Sequence, residues 1–374
     1  MFEKSFLCEK CGEEYPTKDI IYRCECGGSL DVKYDYIDIK ENFTRKDLDT
    51  RIFSHHRYRE LLPVNKKENI ISLGEGGTPL LKSKNIAEQL GLEELYFKLE
   101  NVNPTGSFKD RGSSVEVGKA LDHGAEKVVL ASTGNMGASI SAYTAKAGLE
   151  TTILVPEKVS KIKLEQMKRH GSEIQLVRGD YSAAAEKAWE MMKKGFYLMG
   201  DYAYRGEGEK TVGHEIIEQI DADKIVMPVG NGTLMHSIYK GIDEFNKLGL
   251  SENTPEMVGI QARGCSTVSE AFKEDSKRIK KVEIVDTQAS AIACADPLDG
   301  DLALKAIRDS GGFADSVTDR KIRHARDLLA REEGLYVEIT SGAALAGIIE
   351  NLEKFGKNEK VVCVLTGHGL KDLA

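Results

Sequence analysis

The sequence predicts an α/β protein with two parallel-sheet βα domains and a small cysteine-bearing module at its amino terminus. Three observations carry this expectation. From about residue 66, short apolar runs alternate with helical stretches. Glycine-rich turns (TGSFKDRG, STGNMG, VGNGT, TSGAALAG, TGHG) punctuate those runs. Of the 7 cysteines, Cys8, Cys11, Cys24 and Cys26 crowd the start of the chain, while Cys265, Cys294 and Cys363 are scattered.

Within the cysteine-bearing module, Asp19–Arg23 and Ser29–Val32 read as short β-type runs. Residues 33–65 are tyrosine-rich and charged without a clean period, and read as a linker with some helix. Lys127–Ala131 (KVVLA) suits a buried parallel strand. The helix that follows STGN runs through ISAYTAKAG to Gly148, a residue able to form a left-handed C-cap. Thr151–Val155, a Lys-rich helix to Gly171, Glu173–Val177 and an Ala-rich helix from Ser182 continue the series, with right-handed crossovers expected. A second series begins at Lys224–Val229, passes through GNGT to a helix over His236–Phe245, and reaches a strand at Met257–Gln261. Val317-Thr318-Asp319 opens an amphipathic helix to Glu333, with Thr318 as N-cap. Ser341 caps AALAGIIENL, and Lys360–Leu365 is the last buried strand.

Lys plus Arg number 52 and Asp plus Glu 60, a net charge of −8. That balance argues against nucleic-acid binding, which needs a basic face. No apolar run approaches the ~20 residues of a membrane span, and MFEKSFLCEKCG lacks the apolar stretch of a signal peptide. A soluble cytoplasmic protein with neither nucleic-acid nor membrane partners is expected. The odd cysteine total speaks against a disulfide framework.

Cys8, Cys11, Cys24 and Cys26 are spaced C-x2-C, then 12 residues, then C-x-C. Two close thiolate pairs suit a tetrahedral structural zinc, and so small a module has few other sources of stability. The second pair is one residue tighter than the usual C-x-x-C, and the alternative is a degenerate knuckle that no longer binds metal. Elsewhere, Lys109 sits past a Ser-Phe turn in Asn103-Pro104-Thr105-Gly106-Ser107-Phe108-Lys109-Asp110-Arg111-Gly112, at the start of a helix rich in small residues. The positive helix start and burial both disfavour an ammonium, so a lowered pKa is expected, as an imine-forming lysine requires; taken alone, the alternative is a solvated first-turn lysine. Ser132-Thr133-Gly134-Asn135 forms a strand-to-helix turn where an Asn side chain can lie beside a flat ligand. Gly230-Asn231-Gly232-Thr233-Leu234 opens a helix as a ready phosphate cradle, with an ordinary βα turn as the alternative reading for it and for the Ser132 turn. Thr366-Gly367-His368-Gly369 follows the final strand, which places Thr366 at the strand-end crevice; His368 reads as structural.

With these segments in order, the chain resembles the fold-type-II pyridoxal-phosphate enzymes of the tryptophan-synthase-β class, and among them the threonine synthases. NPTGSFKDRG, ASTGN, YRGEGEKT and VVCVLTGHGLKD carry the resemblance, which extends from the cysteine module to the carboxyl terminus. It implies pyridoxal 5′-phosphate as cofactor, with Lys109 forming the imine and Asn135 bonding the cofactor's 3′-hydroxyl. It also implies Gly230, Asn231, Gly232, Thr233 and Leu234 around the phosphate, and Thr366 at the pyridine nitrogen. The implied domains are a zinc-ribbon-like module (1–32), a linker and the start of the large domain (33–105), a small α/β domain (106–200) and a large cofactor-binding domain (201–374). The implied reaction turns O-phospho-L-homoserine and water into L-threonine and phosphate, in a homodimer.

Two departures stand out. Asn135-Met136-Gly137 replaces the family's Asn-Thr-Ser, and Met199-Gly200 stands where many members have Asn-Ser. Ser132, Thr133, Arg205 and Lys210 remain as candidate contacts to the substrate phosphate. Arg205 is expected on a Gly-broken turn at the crevice mouth, where its planar fork suits a phosphate; its alternative is an exposed loop arginine paired with Glu207 or Glu209. The competing functions are a threonine/serine dehydratase or β-replacement synthase with the same cofactor, and a zinc-ribbon binding protein on an inactive scaffold.

Overall fold

The computed structural model describes residues 2–157, 161–179 and 181–372. Its contacts divide the chain into two compact units, one built from Met1–Gly76 and Asn103–Glu209, the other from Gly77–Val102 and Lys210–Asp372. The sequence reading divides the α/β body at 200/201; the contacts divide it at 209/210, beyond the helix that carries Arg205.

The first unit contains a four-stranded sheet in the order Glu173–Val177, Glu150–Pro156, Lys127–Ala131, Tyr197–Leu198, parallel throughout. Its central strands are apolar on both faces because helices cover both. Val128, Leu130, Ile153 and Val155 pack with Val117, Ile140 and Tyr143, while Val129, Ala131 and Leu154 pack with Ala184 and Ala188. A continuous apolar run is what a doubly covered strand requires. Gly148 ends the Asn135–Ala147 helix at φ 74°, as predicted.

The cysteine module is a three-stranded antiparallel sheet in which Glu3–Cys8 lies between Glu14–Pro16 and Leu30–Tyr34. Asp19–Arg23, expected as a β-type run, is not a strand. Its Tyr22 is used as an anchor instead: the ring packs against Trp189, Tyr197 and Tyr202, and the hydroxyl accepts from the Leu198 N–H at 2.9 Å. The module is therefore fastened into this unit. Phe6 stacks edge-on against Tyr204 (5.2 Å), Lys119 pairs with Glu3 (2.9 Å), and the Tyr34 hydroxyl donates to Glu207 (2.7 Å).

The second unit contains a six-stranded sheet in the order Ala314–Val317, Glu256–Ala262, Lys224–Pro228, Val361–Leu365, Leu95–Leu99, Leu80–Lys82. All neighbours are parallel except the last pair, so this sheet is mixed rather than purely parallel. Leu80–Lys82 is a largely uncovered edge, the position where an antiparallel strand most often joins a parallel sheet. Val226, Val258, Ile260, Cys363 and Leu365 lie in its core with Leu345 and Ile348 of the Gly342–Glu350 helix. Thr318 and Ser341 stand at the expected N-cap positions, yet neither side chain makes a capping bond. Ser341 spends its hydroxyl elsewhere, as described below.

In the first unit, the Lys109–Asp122 and Ala203–Glu209 helices cross at two glycines. A Cβ on Gly112 would meet Arg205 Cγ at 2.8 Å, and one on Gly208 would meet the Arg111 carbonyl oxygen at 2.1 Å. Backbone cannot yield as a flexible side chain can. Gly208→Ala should therefore lower unfolding stability by about 1–3 kcal/mol, despite alanine's better helix propensity. Urea denaturation of parent and variant measures this; equal midpoints would disprove the close approach.

Candidate active site

The first unit presents Lys109 at the opening of its helix, and the preceding turn explains how. Gly106 sits at φ 83° and its N–H bonds to the Asn103 carbonyl (2.7 Å). Asp110 then accepts from the Thr105 N–H (2.7 Å) and hydroxyl (2.5 Å), and from the Ser139 hydroxyl (2.6 Å). That last bond latches the Asn135–Ala147 helix to the lysine helix. Ser107 Oγ, two residues before the lysine, is buried with no partner among the described residues. An unmet hydroxyl at this turn fits a site that receives a polar group.

Lys109 Nζ lies 3.2 Å from Glu209 Oε1, 3.4 Å from Asp201 Oδ1 and 4.5 Å from the Phe108 ring centroid. The expectation of a lowered pKa is corrected here. Burial does push the amine down, but the Asp201 and Glu209 carboxylates outweigh it and hold the lysine above its ordinary value. Burial in turn pushes Glu209 up, to about 7, against the pull of Lys109 and Arg205.

Arg205 is wholly buried on the Ala203–Glu209 helix, not on a turn at a crevice mouth. Its guanidinium donates to Glu116 (2.6 Å), Ser113 Oγ (3.3 Å), the Gly200 carbonyl (3.2 Å) and the Lys109 carbonyl (3.4 Å). Glu209 stands 3.9 Å away and Asp201 4.0 Å. The turn expectation failed because the glycines in RGEG permit close helix packing instead of breaking the helix. Glu116 and Asp201 were missed by the sequence reading, and Glu209 entered it only as an alternative partner for an exposed Arg205. The i, i+4 spacing of Asp201, Arg205 and Glu209 was the available signal, and Glu116 follows Lys109 by about two turns of one helix.

Ser132 Oγ accepts from the Gly137 N–H (2.9 Å) and so serves as a cap for the helix that Asn135 begins. Thr133 and Asn135 are partly exposed beside it.

The second unit supplies the other predicted loops. Gly232, at φ 97°, precedes the Thr233–Leu248 helix, and a Cβ there would meet the Asp299 carbonyl oxygen at 2.5 Å. Asn231 Oδ1 accepts from the Leu298 N–H (2.7 Å), and Thr233 Oγ1 donates to Asp299 (2.6 Å). Gly230 through Leu234 are thus a fixed turn that leads into the amide-rich start of a long helix, the local geometry of an anion cradle. Thr366 follows the Val361–Leu365 strand. Ser341 Oγ accepts from the Thr366 N–H (3.0 Å) and the Gly367 N–H (2.9 Å) and lies 3.1 Å from Thr366 Oγ1. Ser341 Oγ is also placed to donate to the Gly367 carbonyl (3.3 Å), and between Ser341 and Thr366 either hydroxyl can be the donor. His368 Nδ1 accepts from the Leu370 N–H (3.1 Å), a local structural role. Lys210 is buried and bonded to Glu244 (2.7 Å), which also accepts from His214 (3.0 Å).

Sequence and structure comparisons agree with these halves. The family model for pyridoxal-phosphate dependent enzymes matches residues 71–367. A threonine synthase of Methanocaldococcus jannaschii is 43% identical over 373 residues, covering 98% of this chain and 92% of that protein. One from Methanosarcina acetivorans is 43% identical over 374 residues, covering 98% and 91%. Maize serine racemase superposes with a TM-score of 0.70 at 22% identity, covering 78% of this chain and 88% of that one, a likeness of fold.

The Arg205–Glu116 pair sets a measurable cost. Glu116→Ala leaves a fully buried guanidinium without its main partner, so stability should fall by about 3–5 kcal/mol. Chemical denaturation reads this, and a loss below about 1 kcal/mol would show that the pair is dispensable.

Proposed function

The chain belongs to the pyridoxal-phosphate-dependent enzyme family, and from that premise we propose that it is a threonine synthase, converting O-phospho-L-homoserine and water to L-threonine and phosphate. The observation that carries this reading is the likeness to threonine synthases along 98% of the chain. It is a pyridoxal-phosphate-dependent lyase. When bound, the cofactor supplies an electron sink for charge that develops on the substrate's carbon skeleton.

Lys109 is the residue to carry the cofactor covalently and, once freed, to hold and move protons at Nζ. Asn135 offers its side-chain amide to the ring hydroxyl. The backbone of Gly230, Asn231, Gly232, Thr233 and Leu234 is the partner for the cofactor phosphate, and Thr366 for the ring nitrogen. A neutral hydroxyl there suits chemistry that does not need a fully protonated ring. Ser132, Thr133 and Arg205 are proposed for the substrate phosphate, with Arg205 turning part of its fork from Glu116 toward it.

The commitment of Arg205 to Glu116, together with Met136-Gly137 and Met199-Gly200, favours one second reading: a lyase of the same cofactor class acting on unphosphorylated threonine or serine. The protein is further proposed to be a cytoplasmic homodimer. No helix among the described residues is long and apolar enough to cross a membrane.

A structural zinc ion at Cys8, Cys11, Cys24 and Cys26 is also proposed. Their sulfurs all lie within 4.8 Å of one another, with Cys8–Cys26 and Cys11–Cys24 at 3.5 Å. Tetrahedral zinc–thiolate bonds imply sulfur separations of about 3.8 Å. A Cβ on Gly28 would meet Cys8 Sγ at 2.7 Å, so the glycine leaves room for the sulfurs.

Phosphate release from O-phospho-L-homoserine, beside threonine, serine and phosphoserine as substrates, tests the function. Turnover confined to phosphohomoserine is expected; preference for unphosphorylated threonine would select the second reading. Lys109→Ala should abolish both turnover and the visible absorbance of attached cofactor while the protein stays folded. Retained turnover with cofactor attached elsewhere would refute the assignment. Elemental analysis should find one zinc per chain, and its removal should lower thermal stability; metal-free protein of equal stability would refute the zinc site.

A further inference from the structure

Among the charged groups that pack around Lys109, Glu209 is distinctive. It is wholly buried, on the helix that crosses the lysine helix. Oε1 faces Lys109 Nζ at 3.2 Å. Oε2 is buried and has no hydrogen-bond partner among the described residues. A buried carboxylate oxygen left unmatched is costly as an anion, and taking up a proton removes the buried charge. Asp201 differs, since its side chain is partly exposed (18%).

We propose that Glu209 is the proton partner of Lys109: it holds the amine as ammonium when nothing is attached, and accepts one proton from it when the amine must be neutral to bond. In that transfer one Nζ–H bond breaks, one carboxyl O–H bond forms, and an ammonium–carboxylate pair becomes an amine–carboxylic acid pair without release to solvent. The inference rests on the reading of Lys109 as the cofactor-bearing residue. Glu209 is thus a positioning and proton-storing residue that acts through Lys109.

The surrounding charges favour this arrangement. An ordinary carboxylate is too weak a base to relieve an ammonium, but burial pushes Glu209 up to about 7 and narrows the gap. The other groups facing the pair are Asp201, which holds the amine charged, and Arg205, which opposes it. Arg205 is itself neutralised by Glu116. Once Lys109 has passed on its proton, Asp201 and the Arg205–Glu116 pair carry one negative charge in excess, the same net charge as before, so the transfer leaves the cluster's net charge unchanged.

Two measurements test the proposal. In cofactor-free protein, the pH dependence of trace acetylation at Lys109, read by peptide mass spectrometry, reports the amine's own titration. Glu209→Gln should shift its midpoint downward by about one pH unit or more, because a stabilising anion is gone; Glu209→Asp should keep the parent midpoint. An unchanged midpoint in Glu209→Gln overturns the proposal. The second measurement needs no variant at Glu209. Loading parent protein with pyridoxal phosphate should produce a protonated-carboxyl C=O band in the infrared difference spectrum, absent from Lys109→Ala. If cofactor attaches to Lys109 without that band, Glu209 is not the acceptor. Failure of cofactor to attach at all would instead refute the functional reading, and the acetylation titration would still decide the pairing of Glu209 with Lys109.

Discussion

The first unit depends on one buried ionic cluster. Lys109 and Arg205 are held among Glu116, Asp201 and Glu209 at contacts between 2.6 and 4.0 Å. Ions removed from water are tolerable only when partners and hydrogen bonds replace the lost hydration. Arg205 illustrates this, since its fork reaches a carboxylate, a hydroxyl and two carbonyls. The cluster exists because Gly112 and Gly208 let two helices approach closely enough to place these groups together. Shape comes first, and the charge arrangement follows from it.

The amino-terminal module braces that arrangement from outside. Tyr34 bonds Glu207 and Phe6 packs on Tyr204, both on the helix that carries Arg205 and Glu209. Tyr22 holds the Leu198 amide, just ahead of Met199-Gly200-Asp201. A metal-stabilised module would therefore do more than fold itself: its side chains fix the helix and strand end from which the lysine's acidic partners project.

In the second unit the same economy appears at Ser341 and Asp299. Ser341 stands at a helix start but gives up capping to order the Thr366–Gly367 backbone. Asp299 fills the space a side chain at position 232 would occupy and fastens Thr233. Each of these contacts gives a glycine-bearing loop one defined shape. Lys210, by contrast, is committed to a buried pair with Glu244.

Much of this protein was legible in its sequence. Apolar runs such as Lys127–Ala131 and Lys360–Leu365 located buried strands because only doubly covered strands tolerate such composition. The glycines after them located the loops, because positive φ angles and close backbone approach admit little else. The ordered motifs around Lys109, Asn135, Gly230 and Thr366 identified the family. Tertiary structure alone decided the rest. Edge strands as short as Tyr197–Leu198 carry too few residues to show a period. The raised pKa of Lys109 arises from Asp201 and Glu209, and that of buried Arg205 from Glu116, Asp201 and Glu209, partners up to 100 positions away in the chain. A sequence states which charges are present; the energy of a charge depends on its distance to the others and on the water excluded between them, and both are set only when the helices pack.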